Sequence, residues 1–120
     1  MTQDEAPQAA TLDWDECIAL AGGNAALARD LIGMLRAELP GQGEKIRHAF
    51  SRSDWQNLWD EVHRLHGSTA YCGVPALRHT AAALEVAIKA RDTAAVGEHL
   101  VDLDAATRRL LDVTLPESDD

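Results

Sequence analysis

Apolar residues recur along this chain in 4-3-4 steps, the spacing that lines one face of an α-helix. Leu58, Val62, Leu65, Thr69 and Cys72 form one such stripe. Leu77, Ala81, Leu84 and Ile88 form a second, and Val96, Leu100, Leu103, Thr107 and Leu110 a third. A fourth is built from Leu27, Leu31, Met34 or Leu35, and Leu39, with Ile46, Ala49 and Phe50 carrying it on to about Arg52. A shorter piece from Leu12 to Ala21 turns Trp14 and Ile18 inward, with Cys17 at the margin of that face. No run shows the strict alternation of a half-buried strand.

The residues between the stripes mark where each helix starts and stops. Asn24, Asp54, and Asp92 or Thr93 are good N-caps, because their side-chain oxygens accept from the orphan amides of a first turn. Thr11 or Asp13 can cap the short first helix, which Gly22-Gly23 ends. Gly73 is read as a left-handed helix stop and Pro75 as the first turn of the next helix, so the central helix is expected over about 55–72. Pro40 leaves two outcomes open: a kinked but continuous helix, or a stop and restart. Short connections favour antiparallel neighbours. The expected fold is all-α, an antiparallel up-down four-helix bundle with a short additional N-terminal helix as a lid. It spans 11–114, between a flexible N-terminus (1–10) and a flexible acidic tail (115–120).

Composition agrees and narrows the function. At 120 residues the chain is one domain by length, and with 46% hydrophobic residues it can bury a core. The formal charge of -9 argues against nucleic acid, whose binding rests on cations neutralising phosphates. It argues equally against contact with an anionic membrane surface. A small acidic domain that docks on proteins fits better. Cys17 and Cys72 form no Cys-x-x-Cys pair. No apolar run is long enough to span a bilayer, so a reducing cytoplasm is the default. No Gly-rich nucleotide loop suggests an autonomous kinase.

Candidate chemistry gathers on the central helix. His63 lies off its apolar stripe, and Gly67 follows at i+4 on the same face. A mid-helix glycine costs roughly 1 kcal/mol against alanine. Here it removes side-chain cover beside an imidazole, so that a partner surface can approach. His63 stands about ten residues before the turn and Glu85 ten after Pro75. At 1.5 Å per residue both lie about 15 Å from that turn, level on adjacent helices. A carboxylate there can accept from the His63 Nδ1–H and leave Nε2 as the nucleophile.

The run His63-x-Leu65-His66-Gly67-Ser68, with Tyr71-x-Gly73-Val74-Pro75 after it, closely resembles the histidine-containing phosphotransfer (HPt) domain, whose usual signature is His-x-Leu-Lys-Gly. His66 stands where the family usually has Lys. The longer match is most like the C-terminal HPt domain of BarA/GacS-type hybrid sensor kinases, which carry His there. Asp13-Trp14 and the segment Leu27 to Pro40 are similar to that subgroup too. The resemblance implies a phosphorelay intermediate. His63 would accept a phosphoryl group from the receiver domain of a hybrid sensor histidine kinase and pass it to the receiver domain of a response regulator. It also implies Gln or Glu at the position of Glu85, in line with the helix geometry. Any Mg²⁺ would belong to the partner receiver, which supplies the Asp and a Lys; this chain needs no cofactor of its own. His66, at i+3 from His63, is expected to donate to the phosphoryl oxygens. Trp59, Gly67 and Ala70 are expected to meet the docked partner. A monomer is expected, acting alone or within a membrane-tethered kinase.

Two other classes compete. One is a docking bundle that no longer carries phosphate. The other is a metal-binding bundle in which His63 and His66 share an ion with Asp60 or Glu85. His48, His79 and His99 read as solvated or part-buried side chains.

Overall fold

The computed structural model describes residues 9–116 and holds five α-helices: α1 (Trp14–Leu20), α2 (Ala25–Ser51), α3 (Trp55–Thr69), α4 (Pro75–Lys89) and α5 (Thr93–Asp112). Among the described residues there is no strand. Residues 1–8 of the expected flexible N-terminus and 117–120 of the acidic tail lie outside them. Helices α2, α3, α4 and α5 pack in sequence, and α2 also packs on α5, closing an antiparallel four-helix bundle. Helix α1 packs on α2 and meets it at a bend of 105°. No single helix among the described residues is long and apolar enough to cross a membrane.

The stripes on α3 and α4 are buried along their whole length: Leu58, Val62, Leu65, Thr69 and Cys72, then Leu77, Ala81, Leu84 and Ile88. On α5, Ala106 is buried and Thr107 only partly so. On α2 the phase differs from the expected one. The buried line is Ala28, Ile32, Leu35, Leu39, while Leu27 and Met34 face solvent. The sequence there is apolar on too wide an arc to fix the rotation.

Pro40 does not break α2, which runs unbroken from Ala25 to Ser51. A proline inside a helix costs about 3 kcal/mol. Leu39 and Ile46 flank it and are almost wholly buried, each contributing about 1.5–3 kcal/mol relative to exposure. Pro40 itself faces solvent, so the carbonyl it leaves unpaired can be hydrated.

Asn24, Asp54 and Asp92 cap α2, α3 and α5, accepting from the amides of Leu27, Asn57 and Ala95. Asp13 caps α1, and Gly22 and Gly23 end it with positive φ of 70° and 87°. The α2–α3 and α4–α5 connections share one design. Ser53 and Arg91 take the left-handed conformation, at φ 55° and 53°. The amides of Asp54 and Asp92 then reach back to Ala49 and Ala87, which completes a Schellman closure.

The opposite end of the bundle departs from expectation. Helix α3 stops at Thr69, not near 72, and Gly73 is not left-handed. Its role is close approach. A Cβ there would lie 2.4 Å from the Asp13 carbonyl oxygen and 2.8 Å from the Cys17 amide nitrogen. The Gly73 carbonyl accepts from the Asp13 amide, and the Ala76 amide donates to Ala10. Thus α1 lies directly on the α3–α4 turn, held by its backbone. Pro75 opens α4 as expected.

Candidate functional site

Helix α3 points its buried stripe at the bundle, which leaves His63 on the outer flank toward α4. The imidazole is 65% exposed. Its Nδ1 lies 2.8 Å from Oε2 of Glu85, one helix away. Glu85 is only 16% exposed, so its carboxylate sits in the seam between α3 and α4. The helix arithmetic that placed the two residues level is met by the structure.

The second carboxylate oxygen also faces an imidazole. Nδ1 of His66 lies 3.0 Å from Oε1 of Glu85, and the His66 side chain is about one-third exposed, at 31%. An ionised carboxylate can only accept hydrogen bonds; His63 donates to it from Nδ1, whereas His66 lies at ion-pair distance without hydrogen-bond geometry. Glu85 therefore stands between two histidines one turn apart. This contact was not anticipated: i+3 spacing was read as placing His66 near a phosphoryl group, but α4 also presents an acceptor on that flank.

Trp59 lies one turn before His63. The rings stack with centroids 5.2 Å apart and planes 14° from parallel. The Lys89 ammonium lies 5.1 Å from the centroid of the Trp59 ring, an arrangement of cation–π type. Lys89 was missed in the sequence, although it follows Glu85 at i+4. The His63 ring is thus held in plane by Trp59 and at one nitrogen by Glu85, while the rest of it faces solvent.

Gly67 and Ala70 are exposed beyond the histidine. A Cβ at Gly67 would meet no atom within 4 Å, so the glycine is not required by packing and leaves open ground beside the ring. Next to it a groove of 390 Å³ runs between α2 and α3, lined by Leu31, Met34, Gly67 and Tyr71 among others. Met34 and Tyr71 are 60% and 68% exposed. Neither was expected at the docking surface; for Met34 the signal was an apolar face on α2 wider than the core needs.

His63, His66 and Glu85 converge, but not in the manner of metal ligands. The Nδ1 atoms face the carboxylate oxygens, not a shared point. Among the described residues no group of three or more His, Cys, Asp or Glu side chains is arranged to hold an ion.

Residues 30–113 match the family model of the Hpt domain. The chain belongs to the Hpt family. As an Hpt domain it is a histidine phosphotransfer module of a two-component phosphorelay. It is 44% identical over 99 residues to the sensor histidine kinase GacS of Pseudomonas protegens, a match covering 82% of this chain and 11% of the kinase. It is 33% identical over 103 residues to the signal transduction histidine-protein kinase BarA of Escherichia coli K12, covering 86% of the chain and again 11% of the kinase. The chain therefore spans about a tenth of the length of these relatives. Among solved structures, the HPT domain of a sensor hybrid histidine kinase from Shewanella superposes with a TM-score of 0.65 at 29% identity, covering 84% of this chain and 93% of that one. Hpt domains of hybrid kinases interact with receiver domains in phosphorelays.

Proposed function

We propose that His63 is the phosphoacceptor, taking the phosphoryl group from a receiver aspartyl phosphate and returning it to another receiver Asp. The observation that carries this is the hydrogen bond from His63 Nδ1 to Glu85 in a ring otherwise open to solvent. With the proton held at Nδ1, the Nε2 lone pair is free to attack phosphorus in line. The N–P bond forms as the acyl P–O bond breaks, and the receiver carboxylate leaves with the electron pair. No proton has to be removed. The ring becomes a phosphoimidazolium that keeps its Nδ1–H, and Glu85 supplies the opposing charge, as an Asp does for a catalytic imidazolium. The reverse steps load the second receiver.

Phosphoryl transfer is mainly positioning and charge stabilisation. This chain contributes the positioned imidazole. The receiver contributes Mg²⁺, the Asp and a cationic side chain, so the domain acts as an intermediate and not as an enzyme in its own right. Trp59, Gly67 and Ala70 border the docked receiver, with Met34 and Tyr71 extending the apolar ground. His66 donates to the phosphoryl oxygens from Nε2 when its ring is protonated, with the Glu85 carboxylate lying beside its Nδ1. The donor is the receiver of a hybrid sensor kinase, the acceptor that of a response regulator. The domain works as a monomer in the cytoplasm, which is consistent with its two free, buried thiols.

The test is transfer from a receiver charged with acetyl phosphate, comparing the wild type with His63→Gln. Acid-labile, base-stable label on the wild type and none on the variant is the expected result. Binding without label would favour an interaction-only domain. Label persisting on His63→Gln would assign the role to another histidine.

A further inference from the structure

We infer that the basic and aromatic cleft formed by Trp55, Trp59, Lys89 and Arg91 receives carboxylate side chains of the docked receiver domain and sets how fast that receiver arrives. This deepens the reading above and rests on it for the receiver sitting over His63.

Trp55, Trp59, His63 and Gly67 recur every four residues and so form one ridge along α3. Trp55 stands about 12 Å along the helix from His63. A standard interface covers about 800 Å² on each partner, a disc about 16 Å in radius. Centred on His63, it takes in both tryptophans. Helix α4 and the turn after it supply the facing wall. The Arg91 guanidinium lies 5.5 Å from the centroid of Trp55, as Lys89 lies over Trp59. Both pairs line a cleft of 220 Å³, together with Gln56 and Ile88. Both tryptophans are part-buried and both cations are exposed.

Among the described residues neither Lys89 nor Arg91 enters an ion pair. The nearby caps Asp54 and Asp92 accept from backbone amides instead. The dipole of α4 favours a cation at its C-terminus, but it does not require each cation to lie on a tryptophan. Arg91 moreover holds a positive φ of 53°, a conformation that glycine adopts more easily. Tryptophan and arginine are the residues that dominate binding at interfaces. The partner chemistry follows from charge. A receiver that holds Mg²⁺ must present carboxylates, because the ion takes oxygen ligands. Such a partner is repelled by a chain of formal charge -9 as a whole and attracted at this cleft. Complementarity of that kind acts mainly on the association rate, and salt screens it.

The experiment follows association by stopped flow, using an unphosphorylated receiver domain that binds the wild type. Lys89→Glu/Arg91→Glu is compared with Arg108→Glu/Arg109→Glu, which alters net charge equally on exposed side chains of α5. Lys89→Gln/Arg91→Gln removes the two charges without reversing them. Thermal melts check that each variant is folded. Rates are taken at about 0.02 M and about 0.5 M salt. The charge-reversed pair should associate at least about 10-fold more slowly at low salt, and the glutamine pair by a smaller factor. The α5 pair should stay within about twofold of the wild type, and all four proteins should converge at high salt. Three results overturn the inference. The α5 pair slows as much as the charge-reversed pair, so that only net charge counts; or the charge-reversed pair associates as fast as the wild type; or its loss is undiminished at high salt. Failure of the parent reading shows differently, since association is measured without phosphate. Salt-dependent docking at this cleft with no label on His63 would remove the phosphoacceptor and leave the docking surface standing.

Discussion

Oε2 of Glu85 stands 2.8 Å from Nδ1 of His63, although the two residues are 22 positions apart in the chain. A hydrogen bond to a charged group contributes about 1.5–3 kcal/mol. If that is realised as the ring gains positive charge, Glu85→Ala slows transfer roughly 10- to 150-fold. The fold should be intact by circular dichroism, because Glu85 lies at the rim of the core. Single-turnover transfer from a fixed concentration of charged receiver measures it. A change below threefold would remove Glu85 from the mechanism.

Gly67 and Gly73 should respond in opposite ways to alanine. Gly67→Ala meets open space and gains helix propensity, so its stability rises by up to about 1 kcal/mol, while the added methyl obstructs the approaching receiver and weakens transfer. Gly73→Ala drives a methyl into the backbone of α1 and costs about 1–3 kcal/mol. Denaturant melts of both variants, beside receiver-binding measurements, separate the two effects.

Ser53 is held at a positive φ of 55° with no glycine to relieve it. Such a position costs a non-glycine residue about 1–2 kcal/mol. Ser53→Gly should raise stability by about 1 kcal/mol without touching transfer, as the site lies toward the other end of α3. Chemical denaturation with an unchanged m-value would confirm it.

The thiols supply a pH signature. Burial pushes Cys72 up from 9.0 to about 11, with Cys17 nearby adding to the rise, and burial raises Cys17 as well. Folding thus favours the protonated thiols. Their contribution is complete below pH 9 and is lost as pH climbs toward 11, because the unfolded chain ionises first. Stability should fall with pH over that interval. Cys17→Ala/Cys72→Ala should flatten the slope in a pH series of thermal melts.

Most of the bundle was legible because core stripes and caps are local signals. The 4-3-4 runs of α3 and α4 and the carboxylates of Asp54 and Asp92 each declare themselves within one helical turn or two. Level placement of His63 and Glu85 followed from counting outward from a single turn. What escaped depends on a second element. The reason for Gly73 is the backbone of α1, some sixty residues earlier, and nothing near Gly73 announces it. The rotation of α2 depends on which of its many apolar residues meets a neighbour. His66 was read against its own helix, whereas its Nδ1 partner is on α4. The stack of Trp59 on His63 was available from i, i+4 spacing, yet a tryptophan on that flank reads equally well as docking surface.

The stack and the hydrogen bond on His63 also bear on how often an encounter succeeds. A side chain that must be immobilised on association costs about 0.5–1.5 kcal/mol of rotamer entropy. Here Trp59 and Glu85 have ordered the imidazole before any receiver arrives. With His63 as the proposed phosphoacceptor, the same ring would be offered in the same pose to the receiver that delivers and to the receiver that collects. Neither has to select a rare rotamer, so a roughly 2- to 12-fold penalty on productive collisions is absent in both directions. A relay intermediate that must work forwards and backwards gains from an order that belongs to neither partner.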